Sequence, residues 1–420
     1  MSNFELKTQD WFEGSAPREL AVTNNFLSIV VNDEVVSHLS NQAIRSTSTG
    51  VYLSLYPLAE WLAANWWRLL YECNLQRNVA DFQSHHNLSY AGEGYFLPDL
   101  LLAPEMDVVH LQWAPRSINH GQLSFIAHGG TSVPFDSVRN ELARFIHLVI
   151  GRLQANNIGD TLLQRDWNAV CASERDRDER QFCIACAQLG LDPYCVSEEV
   201  ADQIVKADES IGKIVDLNEF FNTVAPENIA ESVTWLKQVG YDHADCEIAN
   251  ICREIKEHLP KFSESLPWAL GYEEAKWVRK TYFPSQTQLR DFQNKFAETA
   301  EQENAPYGFC SALVGASNEQ HPTFILTSFQ NSFLQGRMLG EYLHTPADSI
   351  NLVTKVSTPN QKRCRAFAAE LLAPAELLRD ELKGCSQLCE DDVSELAEKY
   401  QTSEFVIKHQ LENHHLAVLL

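Results

Sequence analysis

The stretch GRMLGEYLHT, residues 336 to 345, holds side chains that could do chemistry at suggestive spacings. Glu341 and His344 stand three residues apart, the Glu-x-x-His spacing by which carboxylate-bridged metal helices place two donors on one face. His321, in a preceding segment read as strand, would make a third donor. Arg337 and Glu341 are four apart, which places opposite charges side by side on a helix. Met338, between them, can neither take nor give a proton.

Other candidate groups carry less. Cys183 and Cys186 in CIAC have the spacing of a metal knuckle or redox pair, but no second pair follows, and Cys195 lies beyond LGLDPY. Two thiols on successive turns of an amphipathic helix read as small buried hydrophobes. His85 and His86 in SHHNLSY, and His414 and His415 near the C-terminus, read as exposed loop and tail residues. The glycines of AHGG, Ala127 to Gly130, are expected in a tight turn. There is no phosphate-binding Gly-Lys loop, nucleophile elbow or dinucleotide fingerprint.

The elements that must position these groups fall into an α+β pattern in three regions. Residues 1 to 135 alternate in the manner of strands in FLSIVVNDEVV, GVYLSLY, DVVHLQWAP and QLSFIAHGG, interrupted by one helix from about Leu58 to Tyr71. Its Trp61, Trp66 and Trp67 are expected in a core. Residues 136 to 266 carry apolar positions at three- and four-residue spacing and form a helical middle, with SERDRDER as a solvated face or turn. Residues 267 to 420 are expected to hold a helix over PWALGYEEAKWVRKTYF and short strands over PYGFCSALVG and HPTFILTS. Helices at about Phe333 to Leu343 and Pro359 to Leu372 follow, with a polar helical pair at the end.

Four hundred and twenty residues, 45% hydrophobic and 21% charged, are enough for a large core and too many for a single ordinary domain. The apolar run VYLSLYPLAEWLAANWWRLLYE is broken by Pro57, Glu60, Asn65 and Arg68, so neither a secretion signal nor a membrane span is expected. A cytoplasmic protein with eleven reduced cysteines follows. A formal charge of −24 argues against nucleic acid as partner and suits a basic protein. The C-terminal DDVSELAEKYQTSEFVIKHQLEN has the length of a helix-turn-helix, yet its second helix offers only Lys408, flanked by Glu404 and Glu412.

RAFAAELLAP, residues 365 to 374, together with GRMLGEYLHT, resembles the ImmA/IrrE-type metallo-endopeptidase family over about residues 267 to 415. There a strand leads into an AHELGH helix, and a Glu precedes a second helix of AN-x-FAAELLMP type. VSELAEKYQTSEFVIKHQLEN is similar to the helical segment that follows, and YPLAEWLAANWWRLLYE and LGLDPY to the N-terminal extension of long members. The resemblance implies a zincin-like C-terminal domain. A zinc peptidase needs two His four apart on one helix face, a Glu beside the first to activate water, and a further ligand from a following helix. Carried over residue by residue, the first metal His falls on Arg337, the general base on Met338, the second His on Glu341 and the third ligand on Gln361. All four are changed, and the general base is gone.

These replacements suggest an Arg337–Glu341 salt bridge in place of the ion, with the Gln361 amide completing its hydrogen bonding. The resulting expectation is a bacterial-type pseudo-peptidase that has no cofactor and acts through protein binding as a regulator, scaffold or sensor subunit. Mobile-element control and phage defence are the settings the resemblance implies. Its partner would be a basic or repressor-like protein, or a further copy of the chain. The alternative is an active endopeptidase holding zinc through Glu341, His344 and His321. An acidic mimic of nucleic acid is a third reading, resting on charge alone.

Overall fold

The computed structural model describes residues 3–14, 17–73, 79–91, 94–118, 121–238, 247–264, 266–303, 305–306, 310–316, 322–327, 331–382, 384–385 and 387–419. The fold is mixed α+β, β-rich in its N-terminal region and largely helical elsewhere with small sheets. It divides into two compact units, Met1–Ala201 and Asp202–Leu420. The helical stretch from 136 to 266 contributes to both. None of the described helices is long and apolar enough to cross a membrane.

In the first unit, Asn24–Val31 pairs antiparallel with Phe4–Thr8, Glu34–Val35 and Val51–Ser54. A second, three-stranded sheet runs Gly129–Pro134, Val108–Ala114, Asp99–Glu105. Strict alternation along Val108–Ala114 buries Val109, Leu111 and Trp113 and leaves His110 and Gln112 outside, as one-sided packing requires. Gly129 and Gly130 lie in this sheet rather than in a turn. A Cβ on Gly129 would come within 2.8 Å of the Trp113 ring, so close approach, not turn geometry, explains that glycine.

The expected helix around Leu58 to Tyr71 is two helices, Tyr56–Ala64 and Trp66–Tyr71, meeting at Asn65. Trp66 and Trp67 are core residues, and Trp66 meets Trp167 edge to face at 4.9 Å. SERDRDER holds a helix boundary: Asp176 caps the Arg177–Gln188 helix by accepting from the backbone N–H of Asp178 and Glu179.

In the second unit a four-stranded sheet is ordered Glu301–Gln302, Pro322–Leu326, Ala312–Ala316, Ser349–Val353. Pro322–Leu326 and Ser349–Val353 both run antiparallel to Ala312–Ala316. All five residues of Ala312–Ala316 and of Pro322–Leu326 are buried, as strands covered on both faces are. The Ser332–Tyr342 helix follows and is capped by Asn331, whose side chain accepts from the Leu334 N–H. Pro359–Leu372 begins with proline at its first position and a Thr358 cap.

Three glycines let this last helix sit close to its neighbours. Gly271 of the Pro267–Tyr282 helix faces the backbone of Arg363, where an added Cβ would lie 2.2 Å from the carbonyl oxygen. Gly336 and Gly340 of the Ser332–Tyr342 helix face Ala368 and the Phe367 ring, at 3.0 and 2.9 Å from the same hypothetical atom. Around this contact the core collects Ala275, Val278, Met338, Leu339, Tyr342, Phe367 and Leu371.

Gly271→Ala should lower the unfolding free energy by about 1–3 kcal/mol, because the backbone it meets cannot yield as a side-chain tip can. Gly151→Ala, in the Phe135–Ala155 helix with nothing within 4 Å, should instead raise it by roughly 0.5–1 kcal/mol. Urea melts of the two variants beside the parent check both signs.

Candidate functional site

Arg337, Met338, Glu341 and Gln361 all lie in the second unit, the first three on Ser332–Tyr342 and the fourth in the first turn of Pro359–Leu372. They are close together and closed to solvent: Met338, Glu341 and Gln361 are 0% exposed and Arg337 7%. Met338 belongs to the apolar core.

The expected Arg337–Glu341 bridge is not the contact that either residue makes. Arg337 donates through Nη2 to the Thr354 carbonyl and to Gln361 Oε1, each at 2.5 Å. Gln361 Oε1 also accepts from the Thr354 N–H at 3.1 Å, and its Nε2 donates to the Leu352 carbonyl at 2.6 Å. The amide thus accepts from the guanidinium and ties it to the end of the Ser349–Val353 strand. Arg337 Nε is buried without a partner. Burial first, and then the like charge of Arg365, pull the Arg337 pKa down to about 10, which leaves it charged at neutral pH.

Glu341 turns the other way. Its Oε1 accepts from Asn351 Nδ2 at 2.8 Å and from Asn360 Nδ2, and its Oε2 from the Cys364 thiol at 2.9 Å. Burial, chiefly, holds the Cys364 pKa well above the usual thiol value, so the group stays a donor. Asn360 continues the chain by accepting from Arg363 Nη2 at 2.6 Å. Arg363 Nη1 reaches the Gly340 carbonyl at 2.9 Å and Glu274 Oε2 at 3.4 Å. Burial works against the Arg363 charge, but the nearby carboxylates of Glu341 and Glu274 oppose it and its pKa is raised. Helix–helix contact that glycine makes close is therefore cross-linked by polar groups on both sides.

Glu219, from the Leu217–Thr223 helix, is a site residue that its sequence gives no spacing to find. It is 3% exposed and accepts from the hydroxyls of Thr358 and Thr354. Burial raises its pKa to about 8, helped by the negative charges of Glu341 and Asp216 and resisted by the threonines. Asn351, Asn360, Cys364, Arg363 and Glu274 were equally missed. The available signal was NQKRCR, a polar run that opens a helix whose second half is mostly apolar.

His344 and Glu341 do not converge. His344 Nε2 pairs with Glu274 Oε1 at 2.6 Å, on a side chain 38% exposed, whereas Glu341 is fully buried among its own donors. His321 lies outside the described residues. Among the described residues no three of His, Cys, Asp and Glu are grouped to hold a metal ion. Zinc chemistry does not fit the residues at the four carried-over positions: a guanidinium occupies the first ligand's place and a thioether the base's.

The remaining candidates are placed as follows. Cys183 and Cys186 are buried in Arg177–Gln188, and burial lifts the Cys183 pKa to about 11 and that of Cys186 further. Cys195 is exposed. His86 corrects its reading as an exposed loop residue: it ends a helix at 0% exposure, stacks on Phe82 with ring centres 3.7 Å apart, and faces Glu72 and the Leu102 carbonyl. His85 is half-buried beside Asp81. His414 is half-buried too, 3.6 Å from the buried Glu370. The C-terminal Glu390–Tyr400 and Glu404–Asn413 helices meet through Gln401 in the left-handed conformation and bury Ala397, Tyr400, Val406 and Ile407.

Compared with known families, curated proteins and solved structures, the chain has no significant match in any of the three.

Glu219 gives the site a pH signature. Because its folded pKa is raised, the folded protein keeps a proton that the unfolded chain releases from about pH 4.5 upward; stability then falls with rising pH until about pH 8 and levels off. The slope for one such group is at most about 1.4 kcal/mol per pH unit. Glu219→Gln, which imitates the protonated acid, should match the parent near pH 5 and be increasingly more stable than it toward pH 8 in urea melts. Parallel curves for the two proteins would remove the assignment.

Proposed function

We propose that the chain is an inactive relative of the ImmA/IrrE-type metallo-endopeptidases, with a zincin-like C-terminal domain, and that it works by binding a protein. One observation carries the reading. The four positions to which the resemblance assigns two zinc ligands, a general base and a third ligand hold Arg337, Met338, Glu341 and Gln361, buried and engaged in internal contacts.

Hydrolysis through zinc needs an open coordination position and a base within reach of the attacking water. Met338 supplies no base, and side chains exposed by 7% or less offer a peptide no access. What such a protein retains is a fold and a surface. The net charge of −24 makes that surface attractive to a basic or repressor-like partner, in keeping with regulation of the kind implied for mobile-element control or phage defence. A complex of that kind loosens with salt, since screening shortens from about 10 Å at 0.1 M to about 3 Å at 1 M.

Returning the missing donors tests the relationship. Arg337→His, Glu341→His and Gln361→Glu combined should bind one zinc per chain, measured by mass spectrometry of tag-free protein expressed with zinc supplied. The parent, prepared in the same way, should carry none in stoichiometric amount. A folded triple variant that fails to take up zinc overturns the zincin-like reading, and stoichiometric zinc in the parent overturns the loss of activity.

A further inference from the structure

A groove of about 550 Å³ lies in the second unit between the Glu198–Ile211 and Ile229–Gln238 helices, away from the four positions above. Gln203, Lys206, Ala207 and Ser210 face it from the first helix, at the offsets of three, four and seven that define one helical face. Ala230, Val233, Thr234 and Lys237 face it from the second with the same offsets. Small side chains at Ala207, Ser210 and Ala230 leave open the space that larger ones would fill. The volume is within the range of small-molecule sites, about 300–1,000 Å³.

Charge in the groove is opposite to that of the chain. The two ionisable residues that line it are both lysines, in a protein of net charge −24. The acids of the first helix, Glu198, Glu199, Asp202, Asp208 and Glu209, do not line it. Lys206 reaches Asp202 only at 3.9 Å, and Lys237 is exposed with no ion pair among the described residues. Gln203 Oε1 is a buried acceptor with no hydrogen-bond partner. An occupant bringing an N–H or O–H gains by meeting such an atom.

We propose that this groove binds a small amphipathic organic anion: an aromatic or short aliphatic body against Ala207, Ala230 and Val233, an acidic head between Lys206 and Lys237, and a donor for Gln203. The site is independent of the peptidase resemblance.

8-Anilinonaphthalene-1-sulfonate has all three features and fluoresces on leaving water, so it serves as the probe. The full-length parent should titrate to a one-to-one endpoint. Lys206→Gln with Lys237→Gln should raise Kd by about tenfold or more, the loss expected for charge-assisted contacts. Ala230→Trp, at an exposed wall position, should abolish saturable binding. Thermal melts matching the parent's confirm that both variants are folded. Absence of a saturable endpoint in the parent, or an unchanged Kd in either folded variant, overturns the proposal.

Discussion

A guanidinium taken out of water must be met by acceptors or it will not stay buried, and two of them, Arg337 and Arg363, lie within one helix-packing seam of this protein. Each meets the requirement with backbone as well as side chains. Arg337 uses the Thr354 carbonyl, and Arg363 the Gly340 carbonyl. Those carbonyls belong to the chain just after a strand and to the neighbouring helix, so satisfying the charges also sets how strand and helices stand against one another. Buried ionic groups are weak evidence for stability, since apolar residues of equal volume often do as well. Their stronger effect is to make one arrangement acceptable: a shift of the Pro359–Leu372 helix by one residue would strand both guanidiniums and the Glu341 carboxyl together.

Glycine is what allows such short polar links. Gly271, Gly336 and Gly340 bring the Pro359–Leu372 helix against two partners at distances no side chain would permit. With the backbones this close, Asn360 and Cys364 are long enough to reach Glu341, and Arg363 can reach across to Gly340. Apolar packing by Phe367, Leu371, Met338 and Tyr342 closes the seam to water and thereby strengthens each of those hydrogen bonds. The same exclusion of water raises Glu219 toward neutrality, because it stands near Glu341 and is offered only threonine hydroxyls.

Much of the second unit's framework was legible in the residues, since the signals were local. The observed helix runs Pro359–Leu372 as expected, and the short strands expected over PYGFCSALVG and HPTFILTS form as Ala312–Ala316 and Pro322–Leu326. The four positions that the resemblance singled out do lie close together and buried. Their partners were not legible, because hydrogen bonds across 24 residues, as between Arg337 and Gln361, or 139, as between Thr358 and Glu219, leave no periodic trace. The Arg337–Glu341 spacing was local and correct, but it misled about the contact: each side chain found a better-oriented partner off its own helix. His86 was misread for a related reason. Two adjacent histidines in polar surroundings look exposed, and what buries the second is Phe82 one turn back on its own helix together with tertiary contacts to Glu72 and the Leu102 carbonyl.

The character of the replacements follows from charge. Under the proposed ancestry a divalent cation once stood here, and its loss alone would have left a carboxylate at the third-ligand position uncompensated in a dry interior. Gln361 removes one negative charge at that position, and Arg337 supplies a positive charge that no proton loss near neutral pH can cancel. Glu341 then becomes tolerable in a ligand's place, because amide and thiol donors surround it and two arginines lie nearby. Each change makes the others less reversible. Under that ancestry a lone return to histidine at 337 would take away the fixed charge without completing a ligand set, so a route back to zinc would pass through less stable intermediates.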